Sequence, residues 1–211
     1  MNKSGSNRRL VLASRNAGKL ADFSLLFMPL NIELVSVTEF TDVDVEETGA
    51  TFIENALLKA RHAAAVSGLP ALADDSGLVV DYLGGEPGIF SARYAGEPGS
   101  DQGNNQKLLG KLSGVNSADR SAHFHCSLAL LASAEDPAPL IAEGRWRGRI
   151  AEQLAGSSGF GYDPLFLPEG LSGSAAELSS AQKNSLSHRG QALHQLVPAM
   201  AGWVGFDFYR G

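Results

Sequence analysis

Residues 71–81, Ala-Leu-Ala-Asp-Asp-Ser-Gly-Leu-Val-Val-Asp, constrain the fold of this chain more than any other stretch. Two apolar runs flank an adjacent pair of carboxylates, Asp74 and Asp75, which are followed by Ser76 and Gly77. The flanks predict short buried strands, and the Ser-Gly pair predicts a turn between them. Because an unpaired buried carboxylate is costly, a cation, a hydrogen-bond donor or water must contact each acid. The alternative is an ordinary turn in which the Asp side chains bond the nearby backbone.

Length and composition predict a protein with a core of its own. A chain of 211 residues is long enough to bury roughly 70% of its unfolded surface without cross-links. The apolar fraction of 44% and the 24 glycines fit an α/β protein with many tight turns. The single cysteine, Cys126, excludes an intrachain disulfide and favours a reducing compartment.

Charge and hydropathy limit the partners that we expect. The formal net charge of −6 argues against nonspecific binding of nucleic acid, although it does not exclude a small anionic ligand. The apolar run that follows the polar residues 1–9 is too short for a signal peptide, and no segment approaches the ~18 apolar residues of a membrane span. We therefore expect a cytoplasmic protein that binds neither nucleic acid nor a membrane.

The order of predicted elements is that of an α/β fold. A strand over 10–14, a polar loop, a helix over 20–28 and a strand over 32–37 open the chain. Thr51 and Glu54 form a capping-box pattern at the start of the next helix. The remaining predicted elements are a helix over 101–112, strands over 123–132, 140–150 and 165–167, a second capping box over 179–182 and a final helix over 189–200.

Residues 14–19, Ser-Arg-Asn-Ala-Gly-Lys, are the first candidate for binding. A polar loop before a helix presents unpaired N–H groups, and the helix dipole favours an anion there. Lys19 adds a point charge within reach of a phosphate. The segment is not a P-loop, because Ala13 stands at the first required glycine and Leu20 at the Ser/Thr position. The alternative is a solvated lysine at a helix start.

Two pairs of acids, Glu46-Glu47 and Asp74-Asp75, are the second candidate. Mg²⁺ prefers oxygen ligands and commonly uses one or two carboxylates, with water and substrate phosphates as its other ligands. One carboxylate from each pair meets that need, and the residues alone do not decide which. Zinc is disfavoured, because no Cys/His set has the spacing of a zinc site.

Two further stretches offer groups that bind a flat ligand. The loop around Gly159-Phe160-Gly161-Tyr162-Asp163 lets the backbone approach such a ligand, and Phe160 or Tyr162 offers a stacking ring. Lys183 and His188-Arg189 supply donors at predicted helix starts. The alternatives are a bulged connection with aromatic rings in the core and a solvated basic helix cap.

Six motifs follow one another along the chain. They are Ser14-x-Asn16-x-x-Lys19, Glu46-Glu47-Thr48-Gly49-x-Thr51-Phe52-x-Glu54-Asn55-Ala56, Ala73-Asp74-Asp75-Ser76-Gly77-Leu78, Pro87-Gly88-Ile89-x-Ser91-Ala92-Arg93-Tyr94, Gly159-Phe160-Gly161-Tyr162-Asp163-Pro164 and Ser187-His188-Arg189-Gly190. With these motifs the chain resembles the inosine/xanthosine triphosphate pyrophosphatase family, from about Leu10 to about Ala199. Each motif is weak alone, but six in order are specific.

The resemblance implies both a fold and an activity. The fold is a two-lobed α/β domain over 10–211, with a long mixed β-sheet flanked by helices and a cleft between the lobes, after a flexible N-terminal tail over 1–9. The resemblance also implies a homodimer, which is the usual state of the members of this family. The activity is Mg²⁺-dependent hydrolysis of ITP, dITP, XTP and dXTP to the monophosphate and pyrophosphate, which clears non-standard purines from the nucleotide pool. The expected partner is therefore a small-molecule nucleoside triphosphate.

The resemblance also implies a role for individual residues. Glu46 and Asp75 serve the metal, and Asp75 is the catalytic proton acceptor. The substrate positions are Ser14, Arg15, Asn16, Ala17, Gly18, Lys19, Ser76, Phe160, Gly161, Tyr162, Asp163, Lys183, His188 and Arg189. One departure is Ser14-Arg15, where many members have Thr-Gly. Ser14 keeps the hydroxyl group of that threonine. Because Arg15 stands in place of a glycine, the resemblance does not imply the backbone conformation of the loop.

Elementary chemistry agrees with this assignment. Water is a poor nucleophile towards an anionic triphosphate, so a catalyst must supply charge neutralisation, alignment and a base. Inosine and xanthine carry a 6-keto acceptor where adenine carries a donor amine. A buried site with donors at that oxygen rejects ATP by about 10⁴–10⁵. Rejection of GTP, which shares the 6-keto group, must come from the 2-position.

Three alternative functions remain at this point. The first is a pyrophosphatase with another preference, either broad or for a modified pyrimidine. The second is a sensor that binds a nucleoside triphosphate without cleaving it, although a pure binder has no need of four acids beside an anion. The third, a structural protein without a ligand, fits least well with so many polar loops at strand ends.

Overall fold

A computed structural model describes residues 8–16, 19–20, 23–24, 27–201 and 203. Residues 1–7 of the predicted tail, and Ala17 and Gly18 of the predicted phosphate loop, lie outside the described residues. The first strand begins at Arg8, two residues before the predicted Leu10. Where it is described, the segment from Lys19 to Phe27 is helical, in agreement with the predicted helix over 20–28.

Besides this first helical segment, the described residues form six strands, four α-helices and six short 3₁₀ helices. The strands are β1 (Arg8–Leu12), β2 (Ile32–Ser36), β3 (Ala71–Val80), β4 (Ser121–Leu131), β5 (Leu140–Ile150) and β6 (Phe166–Pro168). The helices are α1 (Phe52–Ser67), α2 (Asp101–Lys111), α3 (Ser180–Leu186) and α4 (His188–Ala199). Among the described residues, no helix combines the length and the apolar character needed to cross a membrane.

The strands form one mixed sheet in the order β2-β1-β3-β4-β5-β6. Strand β1 is parallel to β2, with Leu10 opposite Leu34, and parallel to β3, with Val11 opposite Ala71. Strand β5 is antiparallel to β6, with Ile150 opposite Phe166. The predicted α/β fold with a mixed sheet is therefore confirmed.

Strand β3 corrects the prediction for the central stretch. It runs without interruption through Asp74, Asp75, Ser76 and Gly77, where the sequence predicted a turn. Residues on both sides are buried, and a turn in the middle of a sheet would leave buried N–H and C=O groups without partners. Successive side chains of a strand project to opposite faces, so Asp74 and Asp75 point in opposite directions.

Both predicted capping patterns act as helix starts. The Thr51 hydroxyl accepts a hydrogen bond from the Glu54 N–H, while the Glu54 carboxylate reaches back to the N–H of Ala50 rather than to that of Thr51. Ser179 and Gln182 form a full capping box at the start of α3. Local capping chemistry thus sets the beginnings of α1 and α3.

The chain divides into two compact units. Unit 1 comprises Met1–Asp75, Ser127–Ala142 and Leu193–Gly211, and unit 2 comprises Ser76–Cys126 and Glu143–Ala192. The core of unit 1 includes Val11, Val35, Ala56, Ala60, Ala63, Ala71, Ala73 and Leu131. The core of unit 2 includes Leu78, Val80, Leu108, Phe124, Trp146, Tyr162 and Phe166.

In unit 2, the first turn of α4 lies directly against β5 at Gly144. A Cβ atom at this position would overlap the carbonyl oxygen of His188 and would lie 2.8 Å from the Ala192 nitrogen. Only glycine permits this approach, which fixes the position of His188 and of the neighbouring Arg189.

Candidate functional site

Unit 1 contains a group of five charged side chains, here called the acid–lysine cluster: Lys19, Glu47, Lys59, Asp74 and Asp75. Lys19 Nζ lies 2.8 Å from Asp74 Oδ1. Lys59 Nζ lies 2.5 Å from Asp75 Oδ1 and 3.1 Å from Glu47 Oε1. Each acid of the Asp-Asp pair therefore has its own lysine.

The two aspartates are buried charges on opposite faces of β3. Asp74 is 3% exposed and Asp75 is 7% exposed. Ionised carboxylates persist at such positions only when cations and hydrogen bonds compensate the lost hydration. Lys19 and Lys59 supply the cations, so the alternative of an ordinary Asp-Asp turn is wrong.

The electrostatic environment of Asp75 favours its use as a base. Burial raises the pKa of the Asp75 carboxyl, and the charge of Lys59 offsets only part of that increase. Burial by itself would lower the pKa of Lys59, but the charges of Asp75 and Glu47 outweigh it, so the pKa is raised. Lys59 therefore stays protonated, while Asp75 binds a proton more readily than an ordinary aspartate does.

The described part of the Ser14–Lys19 loop is held by its own side chains. The Ser14 hydroxyl accepts a hydrogen bond from the Asn16 N–H at 3.2 Å, and the Asn16 side-chain oxygen accepts one from the Lys19 N–H at 3.1 Å. Arg15 Nη1 donates to the carbonyl oxygen of Asp42 at 2.8 Å. The arginine that departs from the family pattern thus ties this loop to the acidic segment 42–47.

A small cavity of about 30 Å³ connects this loop with helix α1. It is lined by Ser14 and Arg15 from the loop, Asp44 from the acidic segment, and Lys59 and His62 from α1. This volume is enough for about one water molecule. The predicted phosphate loop and the lysine that pairs with Asp75 therefore lie at one place in unit 1.

The structure distinguishes between the neighbouring acids Glu46 and Glu47. Glu47 is half-buried and shares Lys59 with Asp75. Glu46 is exposed, and within the described ranges its carboxylate takes part in no ion pair. The structure brings Glu47, Asp75 and Lys59 together, and it does not bring Glu46 into this group.

The acid–lysine cluster offers hard oxygen donors, which are the ligands that Mg²⁺ prefers. Across the residues that the structure describes, there is no group of three or more His, Cys, Asp or Glu side chains arranged to hold a metal ion. A magnesium ion here would take its other ligands from water and substrate phosphates, as Mg²⁺ commonly does. The donor set fits an ion that binds together with a phosphate ligand.

Unit 2 contains a second group, here called the aromatic–cation cluster: Phe160, Asp163, Lys183 and Arg189. Phe160 is 45% exposed. Lys183 Nζ lies 4.9 Å and Arg189 Cζ lies 5.3 Å from the centre of its ring. Asp163 Oδ2 accepts hydrogen bonds from Lys183 and, at 2.9 Å, from the Phe160 N–H. The arrangement presents an aromatic face beside two cations.

Gly159 and Tyr162 of the 159–163 loop have structural roles. Gly159 has a φ of +78°, and a Cβ there would overlap the Asp163 carboxylate. Tyr162 is buried, and its hydroxyl donates to the Ser91 carbonyl oxygen at 2.8 Å. Burial raises the pKa of this hydroxyl. Of the two aromatic rings in the loop, Phe160 is the one that presents a face to solvent.

Helix α2 supports this loop through two side chains that the sequence analysis did not single out. Asn105 Nδ2 donates to the Gly161 carbonyl oxygen at 2.9 Å. Asp101 Oδ2 accepts from the Gly161 N–H at 2.7 Å. Both backbone groups of the glycine are therefore bonded to α2.

The two remaining substrate positions in unit 2 differ in exposure. The His188 ring is buried and stacks on Phe124, with 4.9 Å between centroids and 14° between planes. Ser76, on β3, is half-buried. His188 thus anchors the start of α4 in the core, and its neighbour Arg189 contacts Phe160.

Lys59 is the main residue that sequence reasoning missed. It lies four residues after the buried Asn55 on α1, on the side of the helix that carries Ala56, Ala60 and Ala63. These small buried residues mark the inward face of the helix. A lysine and an asparagine among them were the signal that polar side chains on this face have partners inside the protein.

The chain matches known proteins over nearly all of its length. A sequence model described as the Ham1 family matches residues 10–199. The dITP/XTP pyrophosphatase of Escherichia coli O157:H7 is 53% identical over 193 residues, which are 92% of this chain and 98% of that protein. The enzyme of the same name from Coxiella burnetii is 52% identical over 187 residues, 89% of this chain and 94% of that protein.

Solved structures agree with the sequence matches. The structure of a HAM1 protein from Coxiella burnetii superposes with a TM-score of 0.87 at 50% identity, over 92% of this chain and 99% of that one. The Staphylococcus aureus Ham1 protein superposes with a TM-score of 0.82 at 44% identity, over 92% and 98% of the two chains.

Proposed function

Since this chain belongs to the Ham1 family, we propose that it hydrolyses ITP, dITP, XTP and dXTP to the nucleoside monophosphate and pyrophosphate. The observation that carries the proposal is the buried Asp75, paired with Lys59 beside a second carboxylate, Glu47. A buried carboxylate with a raised pKa, held next to a fixed cation, is suited to accept a proton from water beside an anionic substrate.

The proposed reaction is a single displacement at the α-phosphorus. Asp75 accepts a proton from the attacking water, whose oxygen forms a bond to the α-phosphorus. The bond from that phosphorus to the oxygen bridging to the β-phosphate breaks, and pyrophosphate leaves with the electron pair. Lys19 and Lys59 offset negative charge on the phosphates, which lowers the barrier to attack by a weak nucleophile.

Mg²⁺ is part of this proposal, held by Asp75 together with Glu46 or Glu47. When bound, it would neutralise phosphate charge and orient the substrate. The family resemblance favours Glu46, whereas the contact that Glu47 and Asp75 share with Lys59 supports Glu47. In either case the positive charge of Lys59 reduces the electrostatic repulsion between the carboxylates of Asp75 and Glu47.

The aromatic–cation cluster is proposed to bind the purine. The exposed face of Phe160 offers a stacking surface, worth about 1–3 kcal/mol per base in other proteins. Lys183 and Arg189 are donors beside that ring, and donors suit the 6-keto oxygen of inosine and xanthine. Adenine presents an amine at that position, so ATP would leave a donor unpaired.

A substrate panel tests the proposal. Pyrophosphate release and kcat/KM are measured for dITP, XTP, GTP and ATP, with and without Mg²⁺. We expect pyrophosphate as the product, a requirement for the metal and the highest kcat/KM with dITP or XTP. Binding of a triphosphate without release of pyrophosphate would identify a sensor. Comparable values for all four substrates would refute a selective purine site.

Homodimer formation and a cytoplasmic location extend the proposal; the first rests on the family resemblance and the second on the charge and hydropathy of the sequence. Analytical ultracentrifugation of the full chain tests the first, with a sedimenting mass of about twice the 22.2 kDa of one chain as the expected result. A mass of one chain at micromolar concentration would contradict it.

A further inference from the structure

Strand β5 carries a row of three arginines that the proposed hydrolysis does not use. Arg145, Arg147 and Arg149 alternate along the strand and are exposed, whereas Trp146 and Ile150 between and beyond them are buried. Since side chains alternate between the faces of a strand, the three guanidinium groups project from one face, about 6.7 Å apart at their Cα atoms. The other face packs into the core of unit 2.

The arginine row lines a groove of about 590 Å³ within unit 2. Ser121 and His123 of β4 lie on its wall with the arginines. Ligand pockets for small molecules commonly have volumes of roughly 300–1,000 Å³. The groove shares no residue with the acid–lysine cluster or the aromatic–cation cluster.

The cationic groups of this groove are not fully compensated. In the described part of the chain, the guanidinium groups of Arg145 and Arg147 form no ion pair and no side-chain hydrogen bond, and Arg149 Nη1 donates to the Ser117 hydroxyl at 3.1 Å. Two acids also line the groove, Asp81 and Glu169. Asp81 Oδ2 accepts a hydrogen bond from the Ser121 hydroxyl at 2.6 Å.

The pKa of His123 depends on the charges in the groove. Burial lowers the pKa of its imidazole, and the nearby charges of Arg145, His125 and Arg147 lower it further, against the opposing effect of Asp81. The guanidinium charges thus act at the position of the ring. A bound anion would reverse the effect of the arginines, so the titration of His123 is a local probe.

We infer that this groove is a second binding site, for a small molecule that carries a di- or triphosphate group. The planar guanidinium fork binds phosphate oxygens in pairs, and a row of three such groups complements the several charges of a di- or triphosphate better than a single carboxylate. The neighbouring Ser117 hydroxyl accepts a hydrogen bond from Arg149, and its own O–H is a neutral donor for the same oxygens. The site goes beyond the proposed hydrolysis, because it needs none of the residues assigned to it.

Inorganic tripolyphosphate is the probe for this site. Histidine ring signals are followed by NMR through a pH titration of the full chain, with and without the probe, and His123→Gln assigns the signal. Tripolyphosphate is expected to raise the pKa of His123. In R145Q/R147Q the increase is lost, and the Kd measured from this signal rises at least about tenfold, since two charge-assisted contacts are removed.

The double variant R8Q/R9Q is the matched control. It removes the same charge from exposed positions of β1, in unit 1, and should leave the response of His123 unchanged. Thermal unfolding of each variant checks that the fold is intact. Hydrolysis of dITP, measured in parallel, keeps the two proposals separable, because R145Q/R147Q should retain it whether or not the groove binds phosphate.

Three results would overturn the inference. The first is a His123 titration that does not respond to tripolyphosphate, and the second is an equal response in R145Q/R147Q. The third is a loss of oligomeric mass in R145Q/R147Q by ultracentrifugation, which would identify this face as an interface between copies of the chain.

Discussion

Each of the two clusters is built on a buried aspartate paired with a lysine, yet they present different chemistry. In unit 1, Lys59 bridges Asp75 to a second acid, Glu47. In unit 2, Lys183 bonds Asp163 and lies over the half-exposed ring of Phe160. The first arrangement suits phosphate, metal and a proton acceptor, whereas the second suits a flat base.

The comparison shows that a lysine–aspartate pair by itself does not indicate a function. The third group that the lysine contacts makes the difference: a carboxylate in one pair and an aromatic face in the other. We therefore expect substitutions in the acid–lysine cluster to lower turnover for every substrate. Substitutions in the aromatic–cation cluster should change the choice between substrates.

The largest expected effect is that of Asp75→Asn. This change keeps the shape of the side chain and removes the proton acceptor, so kcat for dITP should fall by roughly 10²–10⁴ while the fold is retained. Steady-state kinetics and thermal unfolding measure the two effects. Asp74→Asn, on the opposite face of β3, is the control and should lower kcat less. Near-normal turnover of Asp75→Asn would remove Asp75 from the mechanism.

Glu47→Gln and Glu46→Gln form the second pair of variants, matched in charge and size. Because Glu47 contacts Lys59 beside Asp75, its substitution should lower kcat/KM by about 10–100-fold and raise the Mg²⁺ concentration needed for half-maximal rate. The exposed Glu46 should have the smaller effect. If Glu46→Gln is the more damaging change, the residue implied by the family resemblance is the ligand.

A smaller effect is expected in the pH dependence. Asp75 acts as a base only when ionised, so activity falls as the pH decreases through its pKa in the folded protein. Because that pKa is raised, the acidic limb of kcat/KM lies above the range of an ordinary aspartate. Lys59→Gln removes the charge that lowers this pKa, so the limb should move to higher pH.

The control for that profile is Lys107→Gln, which removes a lysine that bonds the Tyr94 carbonyl oxygen in unit 2. Its acidic limb should coincide with that of the unmodified protein. An acidic limb that moves to lower pH in Lys59→Gln would show that another group controls the profile.

Much of the fold follows from local sequence signals. The helix starts at Thr51 and Ser179 depend on hydrogen bonds between side chains and backbone groups three residues apart. They are therefore predictable from a few neighbouring residues. The strand over 140–150 was predicted with its observed bounds, because exposed and buried residues alternate along most of it. The prediction of a turn at Ser76-Gly77 was wrong, because the pairing of β3 with its neighbouring strands outweighs the local preference of Ser-Gly for a turn.

The candidate site was predictable as a set of residues but not as a set of contacts. Local motifs indicated Lys19, Asp75 and the 159–163 loop. They did not reveal that Lys59 pairs with Asp75, because the two residues meet only when α1 packs against the sheet. The support of Gly161 by α2 likewise depends on tertiary packing between distant segments.

The central claim is that the acid–lysine cluster controls turnover and the aromatic–cation cluster controls the choice of substrate. Its most direct test is the ratio of kcat/KM for XTP to that for ATP in Glu47→Gln and in Lys183→Met. We expect Glu47→Gln to lower both values and to leave the ratio within about twofold of that of the unmodified protein. Lys183→Met should reduce the ratio by at least about tenfold, because a donor to the 6-keto oxygen is lost. An unchanged ratio in Lys183→Met, or an equal change in Glu47→Gln, would contradict the account.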